Sequence, residues 1–93
     1  MSAITVKSIV KRRADLLSSD IENDTMLFDA EKGEYFGLNE VGAAIWSAIE
    51  APTEVCQICN NLLGQFEVSQ VECEAQVLHF VEDMKSKGLL EIE

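Results

Sequence analysis

The sequence predicts an α+β fold, with strands in its first half and helices in its second. Three observations carry this. Residues 25–30 and 35–38 are short apolar runs separated by Glu31-Lys32-Gly33, the pattern of a β-hairpin. Three apolar stripes with helical spacing follow, over residues 41–49, 55–66 and 71–84. Between the two regimes, residues 34–49 run straight from strand to helix with no linker.

Taken in order, Ile4, Val6, Ile9 and Val10 give a weak strand signal, and the charged Lys11-Arg12-Arg13 after it marks a sheet edge. Leu16-Leu17, followed by Ser18-Ser19, reads as a short strand or turn, and Asn23-Asp24 as a turn. In the next strand Met26 and Phe28 point one way, Leu27 and Asp29 the other. Gly33 supplies the positive φ of the hairpin. The return strand places Phe36 and Leu38 on the core face and Tyr35 and Gly37 on the opposite one. Gly37, with no side chain in mid-strand, marks a bulge or the close approach of another backbone.

Asn39 caps the first helix and Glu40 suits its positive end. Val41, Ala44, Ile45, Ala48 and Ile49 form its apolar stripe, which stops near Glu50 before Ala51-Pro52. Thr53 is placed to cap the second helix, whose stripe is Val55, Ile58, Cys59, Leu62, Leu63 and Phe66, with Gly64 loosening the last turn. Ser69-Gln70-Val71-Glu72 is a capping box opening a third helix that runs to about Lys87 and stops at Gly88. Leu89, Leu90 and Ile92 then make a docked strand or an extended end.

The third helix is too apolar for one buried face. At about 100° per residue its apolar side chains cover an arc of about 220°, wider than a surface helix needs. Two readings stand: a central helix packed on two sides, against the sheet and the first two helices, or a helix whose Cys73-Val77-Phe80-Met84 flank is left open as a groove wall.

Ninety-three residues make a single domain, residues 1–93, with room for one modest core and no deep substrate cavity. A hydrophobic content of 47% argues for a folded chain. No signal peptide or membrane helix is evident, and three cysteines suggest no disulfide framework, so a cytoplasmic protein is expected. The net charge of −10 is uneven: residues 1–13 carry four basic groups and no acid, whereas the rest carries all 17 acids against three lysines. Such a body repels nucleic acid and accepts a basic or neutral peptide or a basic protein face. The basic segment 1–13 reads as a solvated strand edge or frayed end.

Little in the chain suggests catalysis. Cys56-Gln-Ile-Cys59 is a C-x-x-C, but both residues fall inside a helix and Cys59 belongs to its apolar stripe, so small core hydrophobes are the reading. The candidate further zinc ligands, Cys73 and His79, project about 120° apart on their helix and do not converge. His79 lies on a polar helix face without a nucleophile partner, and the carboxylates are scattered over solvated faces. Neither a phosphate loop nor a dinucleotide fingerprint is present. The expectation is a non-enzyme with no catalytic residues, cofactor or metal.

The motifs Leu27-Phe28-Asp29, Gly33-Glu34-Tyr35-Phe36-Gly37-Leu38-Asn39-Glu40, Ala44-Ile45-Trp46, and Pro52-Thr53 with Val55, Ile58 and Leu62-Leu63, ending in Lys87-Gly88-Leu89-Leu90, resemble the PqqD-like family, also described as RiPP recognition elements. The resemblance spans about residues 16–92. It implies a small winged-helix-like domain, a three-stranded antiparallel sheet followed by three α-helices. It also implies a peptide chaperone that captures the leader of a ribosomally made precursor peptide as an added strand on the third strand's edge, beside the third helix. Matched to this chain, the peptide-binding edge is Glu34, Tyr35, Phe36 and Gly37, and the groove wall is Cys73, Val77, Phe80 and Met84. The implied partners are the precursor peptide and a processing enzyme, either the leader protease of a lasso-peptide system, which is favoured, or a radical-SAM maturase. Neither nucleic acid nor membrane is expected as a partner, and the chain is expected to be a monomer or weak dimer. A winged-helix DNA-binding protein is the reading of another class, opposed by the acids on the third helix.

Overall fold

A computed structural model describes residues 4–22 and 24–93, which form two small antiparallel sheets and three α-helices. The first sheet is the meander β2 (Leu16–Ile21), β3 (Asp24–Asp29) and β4 (Glu34–Leu38), in that spatial order. Strand alternation sends Thr25, Leu27, Asp29 and Leu38 into the interior. Gly33 turns the β3–β4 hairpin at φ 68°, and its N–H donates to the Asp29 carbonyl at 2.7 Å. The ladder from Asp29↔Glu34 to Thr25↔Leu38 is unbroken, so Gly37 marks no bulge. A Cβ there would meet only the Met26 Cε, at 3.9 Å. The first of these strands is longer than its weak pattern implies: β2 is a full six-residue strand paired to β3 throughout. The expected turn at Asn23-Asp24 lies partly outside the described residues, and Asp24 already pairs with Ile21.

Helix α1 (Glu40–Ala48) begins where Asn39 Oδ1 accepts the Gly42 N–H at 2.9 Å. It buries Ile45 and Trp46, and its C-cap Ile49 is buried as well. Thr53 does not cap the next helix. With Glu54 it forms the short strand β5 (Thr53–Glu54), and its hydroxyl donates back to the Ala51 and Ala48 carbonyls at 2.7 and 3.2 Å. The amides opening α2 (Val55–Leu63) are satisfied from the N-terminal segment instead: Val55 donates to Ser8 at 3.0 Å and Cys56 to Val6 at 2.9 Å. Phe66 falls beyond the end of α2, so the stripe outlasts the helix. Helix α3 (Gln70–Ser86) has Ser69 Oγ accepting the Glu72 N–H at 3.2 Å, and Gly88 leaves it at φ 76°.

The chain's two ends meet in a second sheet. β1 (Ile9–Arg12) lies between β5 and β6 (Leu90–Ile92), pairing Val10 with Thr53 on one side and Ile92 on the other. This corrects the reading of Lys11-Arg12-Arg13 as a solvated edge. Lys11 stands opposite Glu91, their charged atoms 3.8 Å apart. The Arg12 guanidinium lies 4.6 Å above the Trp46 ring and donates to the Trp46 carbonyl. Its burial lowers its pKa from the usual value, with Glu50 opposing.

Arg13 reaches between the sheets. Its Nη2 donates to Asp29 Oδ1 at 2.8 Å and its Nη1 to the Gly88 carbonyl at 3.2 Å. Asp29 is fully buried, and the same oxygen accepts the Glu31 and Lys32 amides at 3.1 and 3.3 Å. The Arg13 hydrogen bond holds its carboxyl below the ordinary range, against the effect of burial. The basic segment is thus a set of tie points: Lys11 pairs at the surface, while Arg12 and Arg13 are drawn inward onto Trp46 and Asp29. Val10, Leu27, Ile45, Ile58, Val77 and Leu89, from both sheets and all three helices, share the core they enclose.

Candidate functional site

β4 is hydrogen-bonded to β3 on one side and is the last strand of its sheet. Backbone groups alternate in direction along a strand, so every second residue of β4 turns its N–H and C=O off the free edge. Across from that edge stands α3, and α1 closes the floor with Val41, Gly42 and Ile45. The three elements enclose a groove of about 640 Å³. Phe36, Leu38, Phe80 and Met84 give it apolar walls, and Gln76, His79, Asp83 and Lys87 line its α3 side with polar groups. Lys87 Nζ is 3.0 Å from Asp83 Oδ2 and 5.8 Å from the centre of the Phe36 ring.

Phe80 owes its position to a glycine. A Cβ on Gly42 would come within 3.2 Å of Phe80 Cε2. Glycine inside a helix costs about 1 kcal/mol relative to alanine. What that cost allows here is the close seating on α1 of a half-buried ring that lines the groove.

Tyr35, Phe36, Gly37, Phe80 and Met84, all singled out from sequence, border this groove. Tyr35 is 69% exposed and its ring tilts against Phe28, centroids 4.6 Å apart, on the outer face of the sheet. Glu34 starts β4, exposed and outside the groove lining. Cys73 and Val77 are misplaced by the sequence reading. Both are fully buried, with Val81, and Cys73 Sγ donates to the Cys59 carbonyl of α2 at 3.6 Å. The wide apolar arc of α3 therefore divides: its Cys73-Val77-Val81-Met84 side packs inward, with Met84 reaching the groove only as a buried wall at 2% exposure, and Phe80 is the half-buried ring that borders the opening.

The sequence reading also passed over Gln76, His79, Asp83 and Lys87. Together with Phe80 they fall at i, i+3, i+4, i+7 and i+11, one helical stripe. The available signal was a lone aromatic in an otherwise polar stripe, which an inspection of apolar arcs overlooks.

The cysteines have another character. Cys59 is buried, and desolvation pushes its thiol up to about 11, away from thiolate reactivity. Cys56 is half-buried and bonds weakly to Glu54 Oε2 at 3.8 Å. Among the described residues, no three His, Cys, Asp or Glu side chains come together as a metal site, and no helix is long and apolar enough to cross a membrane.

A family model described as coenzyme PQQ synthesis protein D (PqqD) matches residues 24–90. The chain belongs to the PqqD family. The matched part of this PqqD-like chain takes in the β3–β4 hairpin, all three helices and the first residue of β6, and leaves β1 and β2 outside. Two solved structures share this chain's fold. TbiB1, in complex with the TbiA(beta) leader peptide, is 28% identical over 87% of this chain and 94% of its own, with a TM-score of 0.81. A lasso peptide synthetase B1 complexed with the leader peptide is 20% identical over 88% and 96%, with a TM-score of 0.73, a likeness of fold alone. No curated protein matches the chain.

Proposed function

We propose that this chain binds the leader of a ribosomally made precursor peptide as a strand added to β4, and presents it to a processing enzyme, with the leader protease of a lasso-peptide system as that enzyme. The observation that carries this is the free edge of β4 opening into an apolar groove beside α3. TbiB1, solved in complex with a leader peptide, supports it by likeness. Free thiols suit a cytoplasmic setting for this step.

The energetics require more than backbone pairing. Each added strand hydrogen bond contributes about 0.5–1.5 kcal/mol net, while ordering a disordered peptide costs about 1–2 kcal/mol per residue. These terms roughly cancel. Affinity must then come from side chains, at about 1.5–3 kcal/mol for each large apolar group buried. Phe36, Phe80 and Met84 offer room for two or three, so the leader carries spaced large apolar or aromatic residues.

The test is an affinity capture from source lysate with wild type and Phe80→Asp, read by mass spectrometry. Retention of one short precursor peptide and its processing enzyme by the wild type alone is expected. Losing one apolar anchor lowers leader affinity by about 10–100-fold. A folded Phe80→Asp chain that retains the same peptide equally well refutes the groove. Capture of a radical-SAM enzyme instead of a protease keeps the groove and overturns the lasso assignment.

A further inference from the structure

Among the described residues the first sheet has a second bare edge. β2 ends the sheet opposite β4, and five of its six residues are exposed. Leu17 and Ile21 are 62% and 60% exposed, both on the face that also carries Met26 and Tyr35. Proteins commonly protect such an edge with lysine, proline, a bulge or a very short strand. β2 has none of these, and its one charge is Asp20 on the inner face: it reads Leu-Leu-Ser-Ser-Asp-Ile and pairs with β3 without interruption from Leu16 to Ile21.

We propose that β2 is a self-association edge, where two copies of this chain pair β2 with β2 antiparallel about a two-fold axis at Ser19. The register follows from parity. A two-fold axis perpendicular to the sheet keeps outer faces together, so only residues of the same parity oppose each other. Centring on Ser19 sets Leu17 against Ile21 of the second copy, Ser19 against Ser19, and Ile21 against Leu17. The two exposed apolar side chains of each copy are covered by those of the other. On the inner face Ser18 opposes Asp20, a hydroxyl donor against the strand's one carboxylate, so like charges do not face each other. The alternative register centred on Ser18 sets Leu17 against Ser19 and Leu16 against Asp20, leaving the apolar groups unmatched.

The result is a six-stranded sheet, ordered β4-β3-β2-β2-β3-β4, with both β4 edges facing outward. Self-pairing at β2 therefore occupies neither groove. A single strand edge covers less than the roughly 1,200 Å² of a stable interface, and each copy carries a charge of −10. The dimer is accordingly weak and strengthens as salt screens the repulsion.

Sedimentation equilibrium on the purified chain, at low and high salt, reads the association directly. Reversible dimers are expected, weakened at least about tenfold by Leu17→Lys, a change at an exposed site that puts a cation on the edge. Tyr35→Lys on β4 is expected to leave the association unchanged. Register is read in a Cys56→Ser background under oxidised glutathione. There Ser19→Cys links two copies, because residues directly opposed in an antiparallel pair are about 4.5–5.5 Å apart at Cα, within disulfide reach. Ser18→Cys, which opposes Asp20 in this register, does not. A wild type that stays monomeric at millimolar concentration overturns the proposal, as does loss of the dimer in Tyr35→Lys with retention in Leu17→Lys. Equal cross-linking of both cysteine variants also overturns the register.

Discussion

Asp29 remains ionised in the interior because three donors converge on one of its oxygens, Arg13 Nη2 and the amides of Glu31 and Lys32. Its depressed pKa makes the pair a pH-dependent tie. An unfolded aspartate titrates near pH 4. Above that range the contribution of Asp29 is fully present, and it is lost as pH falls through the lower folded value. Urea unfolding of wild type and Asp29→Asn is therefore expected to show its largest stability gap near neutrality, narrowing as the medium is acidified below about pH 4. A gap that stays constant would assign the loss to shape and not to charge. Nothing in the sequence could reveal this pair. Sequence shows that Arg13 and Asp29 are charged, but the strand crossing that brings them together exists only in three dimensions, so the arginines read as solvated.

At the scale of elements, the helices were legible because their signals are local. Asn39 and Ser69 cap where their side chains reach the next turn, and Gly88 stops α3 where a positive φ is needed. The groove wall was less legible because an apolar arc reports what is buried, whereas the opening is lined by the stripe where polar groups meet one aromatic ring. The Cys73-Val77 side lost its assignment for that reason. The packing of α1 on α3 turns on Gly42. Alanine at an ordinary interior helix position gains about 1 kcal/mol over glycine, and overpacking costs about 1–3 kcal/mol. Gly42→Ala is expected to melt within about 1 kcal/mol of wild type while pushing the Phe80 ring outward and narrowing the groove. Thermal melts and the Phe80 ring resonances in NMR check both. A full gain in stability with an unmoved ring would refute the seat.

For the whole molecule, the strand-then-helix order was visible in the sequence, but the second sheet was not. Its strands come from the two ends and the middle of the chain, and each is too short to announce a partner. Its contribution is large all the same. Leu89 and Leu90 are buried beside β1, and Arg13 donates its backbone N–H to the Leu89 carbonyl at 3.1 Å. Leu90→Ala is expected to cost about 2–5 kcal/mol, measured by chemical denaturation, in line with other buried leucines. A cost of no more than about 0.5 kcal/mol, the range of exposed sites, would mean that β6 docks only loosely.

The pairing of β1 with β6 sets the first and last strands side by side, and the Glu93 amide donates to the Ile9 carbonyl at 2.9 Å. A peptide bridge from Glu93 to the segment that leads into Ile9, with Val6 and Ser8 kept on the α2 amides, could close the chain, and new ends could be opened at the exposed Glu31-Lys32-Gly33 turn. The domain is thus suited to circular permutation. By the same geometry it could be carried as an insert in a surface loop of another protein, entering and leaving at one point with the β4–α3 groove left open.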